Sequence, residues 1–309
     1  MMDSQQYLKN LMTPEGMVDV VLDTDAYNEV DDQYAIGYML QYPQRLCVKG
    51  ICAAPFYGKR SDSAEDGMEK SYNEVVKLLK LMGKDELASI LYKGSRTFLK
   101  DEETAVDSEA ADFMANLARK YSPKKPLYID AIGAITNVAS AILKNPDIAE
   151  NCVVVWLGGH GFHMPNAASE FNMKQDIAAA RVVFKSGVPL VLLPCEGVVD
   201  RFSVSKYELE HWLKGKNALC DYLCDYTIKV ADAHGADRPW ARTIWDVTAV
   251  AWLLNDNHRF MKDKLVVCPM PEYDQQYALE AGDRFIRYVY DIHRTELFQD
   301  LFRALTRED

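Results

Sequence analysis

VDVVLDTDAYNEVDDQYAIGYML, residues 18–40, decides how this chain is read. Val18 to Leu22 is a mainly apolar, β-branched run, which suits a strand buried on both faces of a parallel sheet. It ends in acid, with Asp23, Asp25, Glu29, Asp31 and Asp32 inside ten residues. Helical spacing then takes over, offering Tyr34, Ala35, Tyr38 and Met39 to one face. Carboxylates crowded between a buried strand and a helix repel one another unless a cation or a proton offsets them. Such a junction in a parallel sheet is also where ligands bind, and a hard cation such as Ca²⁺ gathers oxygen ligands of this kind. Asp31 and Asp32 also suit a helix N-terminus, but that accounts for two acids and not for the pair before them. The stretch therefore predicts a metal site.

Composition narrows the rest. The 309 residues are 49% hydrophobic and 26% charged, ordinary values for a globular chain. A net charge of −11 argues against a nucleic-acid binder, because phosphates would be repelled, and favours small neutral or cationic ligands. The seven cysteines are scattered, several of them in apolar runs, which reads as free buried thiols in a reducing compartment. Cys220 and Cys224 have no second pair at zinc-finger spacing. MMDSQQYLKNLM at the start lacks the basic and apolar regions of a signal peptide, and no run approaches the roughly 18 apolar residues of a membrane span. These features predict a cytoplasmic protein with no membrane partner.

Strands and helices then alternate along the chain. Strands are expected at 46–54, 90–92, 127–131, 153–157 and 189–193, with helices at 64–82, 110–121, 133–144 and 176–186 between them. That rhythm implies right-handed crossovers and a mostly parallel central sheet with helices on both faces. Residues 205–214, 218–233, 244–255 and 292–305 read as further helices, and 265–268 and 285–290 as late strands on an antiparallel edge. No linker, repeat or low-complexity tract splits the chain, so a single domain over 1–309 is expected.

Four other segments are placed to join the acidic loop. Gly133 to Asn137 lets a carbonyl turn towards a ligand, or simply starts a helix capped by Thr136 or Asn137. GGHGFHMPNAASEFN, residues 158–172, brings His160, His163, Asn166, Glu170 and Asn172 beyond a buried strand. Amide and carboxylate groups of that kind match sugar hydroxyls, which both donate and accept. Glu196 follows another strand, a weak signal alone, and Asp246 starts an apolar helix, where a lone Asp is ordinarily a cap. Glycine-rich dinucleotide and P-loop motifs are absent, as is a serine-hydrolase elbow.

Taken together these residues resemble the inosine–uridine-type nucleoside hydrolases. DTDAYNEVDD is similar to the family's Asp-x-Asp…Asp-Asp signature with two extra residues, and AIGAITN (131–137) to its strand-to-helix loop. Residues 158–194 resemble its Gly-Gly, Glu-Phe-Asn, Asp-x-x-Ala-Ala and Ser-Gly-x-Pro pattern, and WDVTAVAWLL (245–254) its His-Asp-Pro-x-Ala helix start. The resemblance implies that the chain is an N-glycosidase with a nucleoside-hydrolase-like α/β domain, hydrolysing the N-glycosidic bond of a ribonucleoside or related N-riboside. It assigns Ca²⁺ to Asp25, Asp32, the backbone carbonyl of Thr136 and Asp246, with Asp25 as general base. It assigns the ribose hydroxyls to Asp31, Asn166, Glu170 and Asn172, and an orienting role behind the site to Asp23. A homodimer or homotetramer is further implied.

Two departures stand out. The insertion over Ala26 to Glu29 adds Asn28 and Glu29 beside the metal, with Asn28 against the substrate. Trp245 stands where the family has a histidine that protonates the leaving base. Tryptophan has no titrating proton to give but stacks on an aromatic base. Activation of the leaving group then falls to His160, His163, Tyr57 or His234, or to a base that departs unaided. Two alternatives follow: a ribosyl-ligand-binding protein without turnover, and a hydrolase of another N-glycoside.

Overall fold

The computed structural model describes residues 2–307 except 234, 236 and 280–282, so His234 lies outside the described residues. The chain opens with α1 (Ser4–Asn10), β1 (Val18–Thr24), α2 (Asp32–Leu40), β2 (Leu46–Ala53), α3 (Ala64–Leu81) and β3 (Leu91–Lys93). It continues through α4 (Glu109–Ala118), β4 (Leu127–Ala131), α5 (Thr136–Lys144), β5 (Cys152–Leu157), α6 (Phe171–Gln175), α7 (Ile177–Lys185) and β6 (Leu190–Leu193). The last third holds β7 (Ser203–Ser205), α8 (Lys206–Trp212), α9 (Ala218–Asp232), β8 (Ala241–Thr243) and α10 (Val247–Trp252). It closes with β9 (Met261–Val267), β10 (Met270–Pro271), β11 (Tyr277–Ala278), β12 (Phe285–Ile292) and α11 (Arg294–Leu305).

Among the described residues eight strands form one sheet in the order β3-β2-β1-β4-β5-β6-β12-β9. The first seven run parallel, and β9 closes one edge antiparallel to β12, the edge that the sequence places there. Alternation along β1 sends Val20 and Leu22 into one apolar layer and Val21 into the other. Helices α2, α3 and α8–α11 cover the first layer, and α4, α5 and α7 the second. Burial on both faces is why these strands are continuous apolar runs. No described helix is long and apolar enough to cross a membrane. All seven cysteines are free, and all but Cys47 are buried.

One difference from the sequence reading concerns α2. A single apolar face is expected, yet all nine of its residues are buried. The later helices account for this: Tyr34 Oη lies 2.9 Å from Thr227 Oγ1 of α9, and Tyr38 Oη donates to Asp300 Oδ2 of α11 at 2.7 Å. A Cβ at Gly37 would come within 2.9 Å of Leu305, so the small residue admits α11. A second feature is Asp130 on β4, flanked in register by Leu22 and Val155. Neither of its carboxylate oxygens has a hydrogen-bond partner. Burial alone pushes its carboxyl well above the usual range.

Candidate active site

Crossovers leave β1 towards β2 and leave β4 towards β5, so a crevice opens between β1 and β4 at their carboxyl ends. The loops after the two strands close on each other there. A Cβ at Gly133 would lie 3.0 Å from Asp25 Oδ1 and 3.1 Å from Ala54 Cβ, so a larger residue would press the β4 loop against Asp25. The crevice is a cleft of about 280 Å³.

Its floor is acidic. Side-chain oxygens of Asp31, Asp32 and Asp246 lie within 4.8 Å of one another, all three buried. Asp31 and Asp246 occupy the residues before α2 and α10, the position of a helix cap, yet neither side chain caps its helix. The capping explanation open to both residues is thereby removed. Thr24 Oγ1 donates to Asp32 Oδ1 at 2.5 Å. Asp25 Oδ2 and Asp31 Oδ1 are buried without a hydrogen-bond partner. Burial raises all four carboxyls: Asp31 and Asp32 to about 6, and Asp25 and Asp246 well above the ordinary carboxylate range. For Asp25, Asp31 and Asp246 the next cause is the charge of the neighbouring aspartates. Buried carboxylate oxygens with no protein donor form a hard donor set that fits a divalent cation. Asp23 lies behind this floor, also raised to about 7 by burial, with Oδ1 accepting from Asn137 Nδ2 at 2.8 Å.

Thr136, whose carbonyl the resemblance assigns to the metal, lies off the cleft wall. It is the first residue of α5, and its hydroxyl donates to Asp176 Oδ2 at 2.7 Å. Ile132 lines the cleft instead, because the chain turns at Gly133 before the helix starts. Neither Thr136 nor Asn137 caps α5. Asn137 instead ties Asp23 to the loop after β3, accepting from Ser95 N at 2.8 Å.

Of the residues assigned to the sugar, Asp31, Glu170 and Asn172 reach the cleft wall and Asn166 does not. Asn166 takes a left-handed bend at φ 52°, which turns it outward to accept a hydrogen bond from Gln276. Glu170 accepts from the backbone N–H groups of Gly159 (3.0 Å), Asn172 (2.8 Å) and Met173 (2.9 Å). These donors oppose the burial that lifts its carboxyl to about 7. Asn172 Nδ2 donates to the carbonyls of Ile132 and Leu157, both at 3.1 Å, which binds the ends of β4 and β5 together.

Trp245 is half-buried and lines the cleft beside Asn28 and Glu29. The inserted residues are held from outside the cleft: Arg60 donates to the Glu29 carbonyl at 2.9 Å, lies 4.6 Å over the Tyr27 ring and bonds the Tyr226 hydroxyl. Arg242 of β8 pairs with the Glu29 carboxylate. His160, Lys174, Cys195 and Glu196 also line the wall, with Leu157, Ser169 and Phe171; the sequence flagged His160 and Glu196, while Lys174 and Cys195 gave no signal beyond their neighbours. His163 and Tyr57 are exposed and lie off the wall.

Residues 20–281 match the sequence profile of the inosine-uridine preferring nucleoside hydrolases. The chain belongs to this family. Nucleoside hydrolases are metal-dependent N-glycosidases, and the acidic cleft lies where the fold places ligands. A pyrimidine-specific ribonucleoside hydrolase RihA from Citrobacter koseri is 25% identical over 250 residues, covering 72% of this chain and 76% of that protein. The RihA of an Enterobacter species is 23% identical over 262 residues, covering 76% and 78%. Among solved structures, a purine-preferring ribonucleoside hydrolase from Gardnerella vaginalis shares the fold at TM-score 0.70 and 19% identity, over 93% of this chain and 98% of that one. A plant nucleoside hydrolase, PpNRh1, does so at 0.73 and 17%, over 94% and 99%. The type III effector XopQ, solved with adenosine diphosphate ribose, gives 0.69 and 14%, over 99% of both chains.

Proposed function

We propose that this nucleoside hydrolase homologue releases the base from a ribonucleoside or a related N-riboside, using Ca²⁺ held by Asp25, Asp32, Asp246 and the backbone carbonyl of Ile132. The observation that carries the reading is the set of buried, uncapped carboxylates from two helix starts converging on one cleft. The bound cation would lend Lewis acidity to water and to the sugar hydroxyls. Asp25, with Oδ2 free of protein donors, takes one proton from the attacking water. The water oxygen bonds to the anomeric carbon, and the electron pair of the C1′–N bond stays on the departing base. Asp31 Oδ1 has no protein partner and accepts a ribose hydroxyl, while Glu170 and Asn172 bound the sugar on the β5 side. The surrounding carboxylates stabilise the positive charge that develops on the sugar ring. Trp245 packs against the flat base, and Asn28 closes the rim.

Reducing-sugar release from a panel of nucleosides in Ca²⁺ tests this. Wild-type protein releases ribose and Asp25→Ala does not while remaining folded; an active, metal-independent Asp25→Ala protein would sink the reading. Trp245, in the place of the family's histidine, favours a second reading in which the cleft binds a riboside without turnover. Nucleoside binding with no ribose release across the panel would select it.

A further inference from the structure

We propose that His160 donates the hydrogen bond that a departing base needs, from Nε2 of a neutral imidazole; this rests on the hydrolase reading above. His160 follows Gly158-Gly159 at the end of β5, and three backbone bonds fix its loop. His160 N–H donates to Ala167 O at 2.6 Å, Gly161 N–H to Glu196 O at 2.8 Å, and Cys195 N–H to Gly159 O at 2.8 Å. The β5 and β6 loops are thereby clamped together, and Glu196 N–H is directed at His160 Nδ1 at 3.3 Å. A nitrogen that accepts an N–H keeps its lone pair, so the proton of the ring resides on Nε2. The ring lines the same cleft as Asp25 and Trp245. Burial and Lys174 hold the imidazole below the ordinary histidine range, while Glu196 and Asp200 act the other way.

The other candidates are less well placed. A Trp245 ring lying against the face of a base has its N–H in the plane of the indole, directed away from the edge of the base. The His163 ring packs on Gly161 and Gly197, where a Cβ would meet it at 2.7 and 2.8 Å, so it serves the loop. Tyr57 is 57% exposed and bonds to Gln175 through its backbone.

The chemistry balances with the imidazole neutral throughout. As the C1′–N bond breaks, its electron pair passes to the base, and Nε2–H stabilises that negative charge at a ring nitrogen or carbonyl oxygen. The water oxygen bonds to C1′ and its proton goes to Asp25. The freed base then takes a proton from solvent. A neutral imidazole acting as an electrophile in this way needs no titration of its own.

The test compares kcat/KM on inosine with that on p-nitrophenyl β-D-ribofuranoside, whose phenolate leaves without help. His160→Ala should lose roughly 10²-fold on inosine, with the loss on the aryl riboside at least about ten times smaller. His160→Gln, which puts an amide N–H near the Nε2 position, should recover inosine turnover while thermal melts stay at the wild-type value. Equal losses on both substrates would overturn the proposal. So would the same leaving-group dependence in Lys174→Met without it in His160→Ala. If the wild-type protein released ribose from neither substrate, the hydrolase reading itself would fall, and this proposal with it.

Discussion

Asp31 and Asp176 are the same residue type, both buried and both one position before a helix, yet they do opposite things. Asp176 is turned onto its surroundings. Its Oδ1 accepts from Ala179 N–H of α7 at 2.9 Å, and its Oδ2 from Leu99 N–H at 2.8 Å and the Thr136 hydroxyl at 2.7 Å. Asp31 leaves its helix uncapped, keeps Oδ1 without a partner, and faces Asp32 and Asp246. A carboxylate supplied with donors stabilises the fold; one deprived of donors and set among like charges is held in readiness for an external positive charge. Asp246 likewise leaves α10 uncapped and faces Asp31 and Asp32.

The comparison breaks most visibly if activity and stability do not separate. Asp246→Asn is expected to lose roughly 10³-fold in kcat/KM and to raise the melting temperature of the metal-free protein at pH 7, since it takes one carboxyl out of a buried acidic cluster. A loss of both activity and stability would make Asp246 a structural residue after all. Asp176→Ala should do the reverse. It orphans two buried N–H groups and a hydroxyl and costs about 2–3 kcal/mol in chemical denaturation, with Ca²⁺ binding by calorimetry retained.

A pH series sharpens the contrast further. Asp31 and Asp32 have folded pKa values raised to about 6, above those of an unfolded chain, so the metal-free folded state binds protons more tightly. Their contribution to stability is therefore undiminished below about pH 4 and is lost as pH rises through 6. Melting curves of metal-free protein should fall over that range by more than about 2 °C relative to Asp31→Asn, and Ca²⁺ should remove the difference. The smallest expected effect is at the rim. The Arg242–Glu29 pair is partly exposed, so Arg242→Met should change stability by less than about 1 kcal/mol. Arg242 also lowers the pKa of Asp31, so its loss should move the acid limb of the kcat/KM profile to higher pH. An unmoved limb would detach the rim from the acidic floor.

Much of this contrast was legible in the sequence, and the parts that were not share a cause. The β4 strand falls on 127–131 as its apolar run indicates, and the acids of the first loop do meet Asp246 more than 200 residues later. Spacing along a chain shows which side chains are available, but not which way the backbone turns. With the loop bending at Gly133, Ile132 and not Thr136 therefore lines the cleft, and one left-handed residue carries Asn166 outward. That Asp31, expected at the sugar, also brings an oxygen within 4.8 Å of those of Asp32 and Asp246 depends on side-chain direction as well. Three-residue strands such as β7 and β8 carry no periodicity to read, yet β8 positions the arginine that holds the inserted loop.

Asp130 has a consequence away from the cleft. A carboxyl whose pKa burial raises holds its proton more tightly in the folded sheet than in the unfolded chain, where the solvated group ionises. Calorimetric unfolding in two buffers of unequal ionisation enthalpy should therefore register an additional released proton in the wild-type chain that Asp130→Asn lacks. A rise in pH is thus expected to weaken this nucleoside hydrolase homologue at its central strands, away from the acidic cleft.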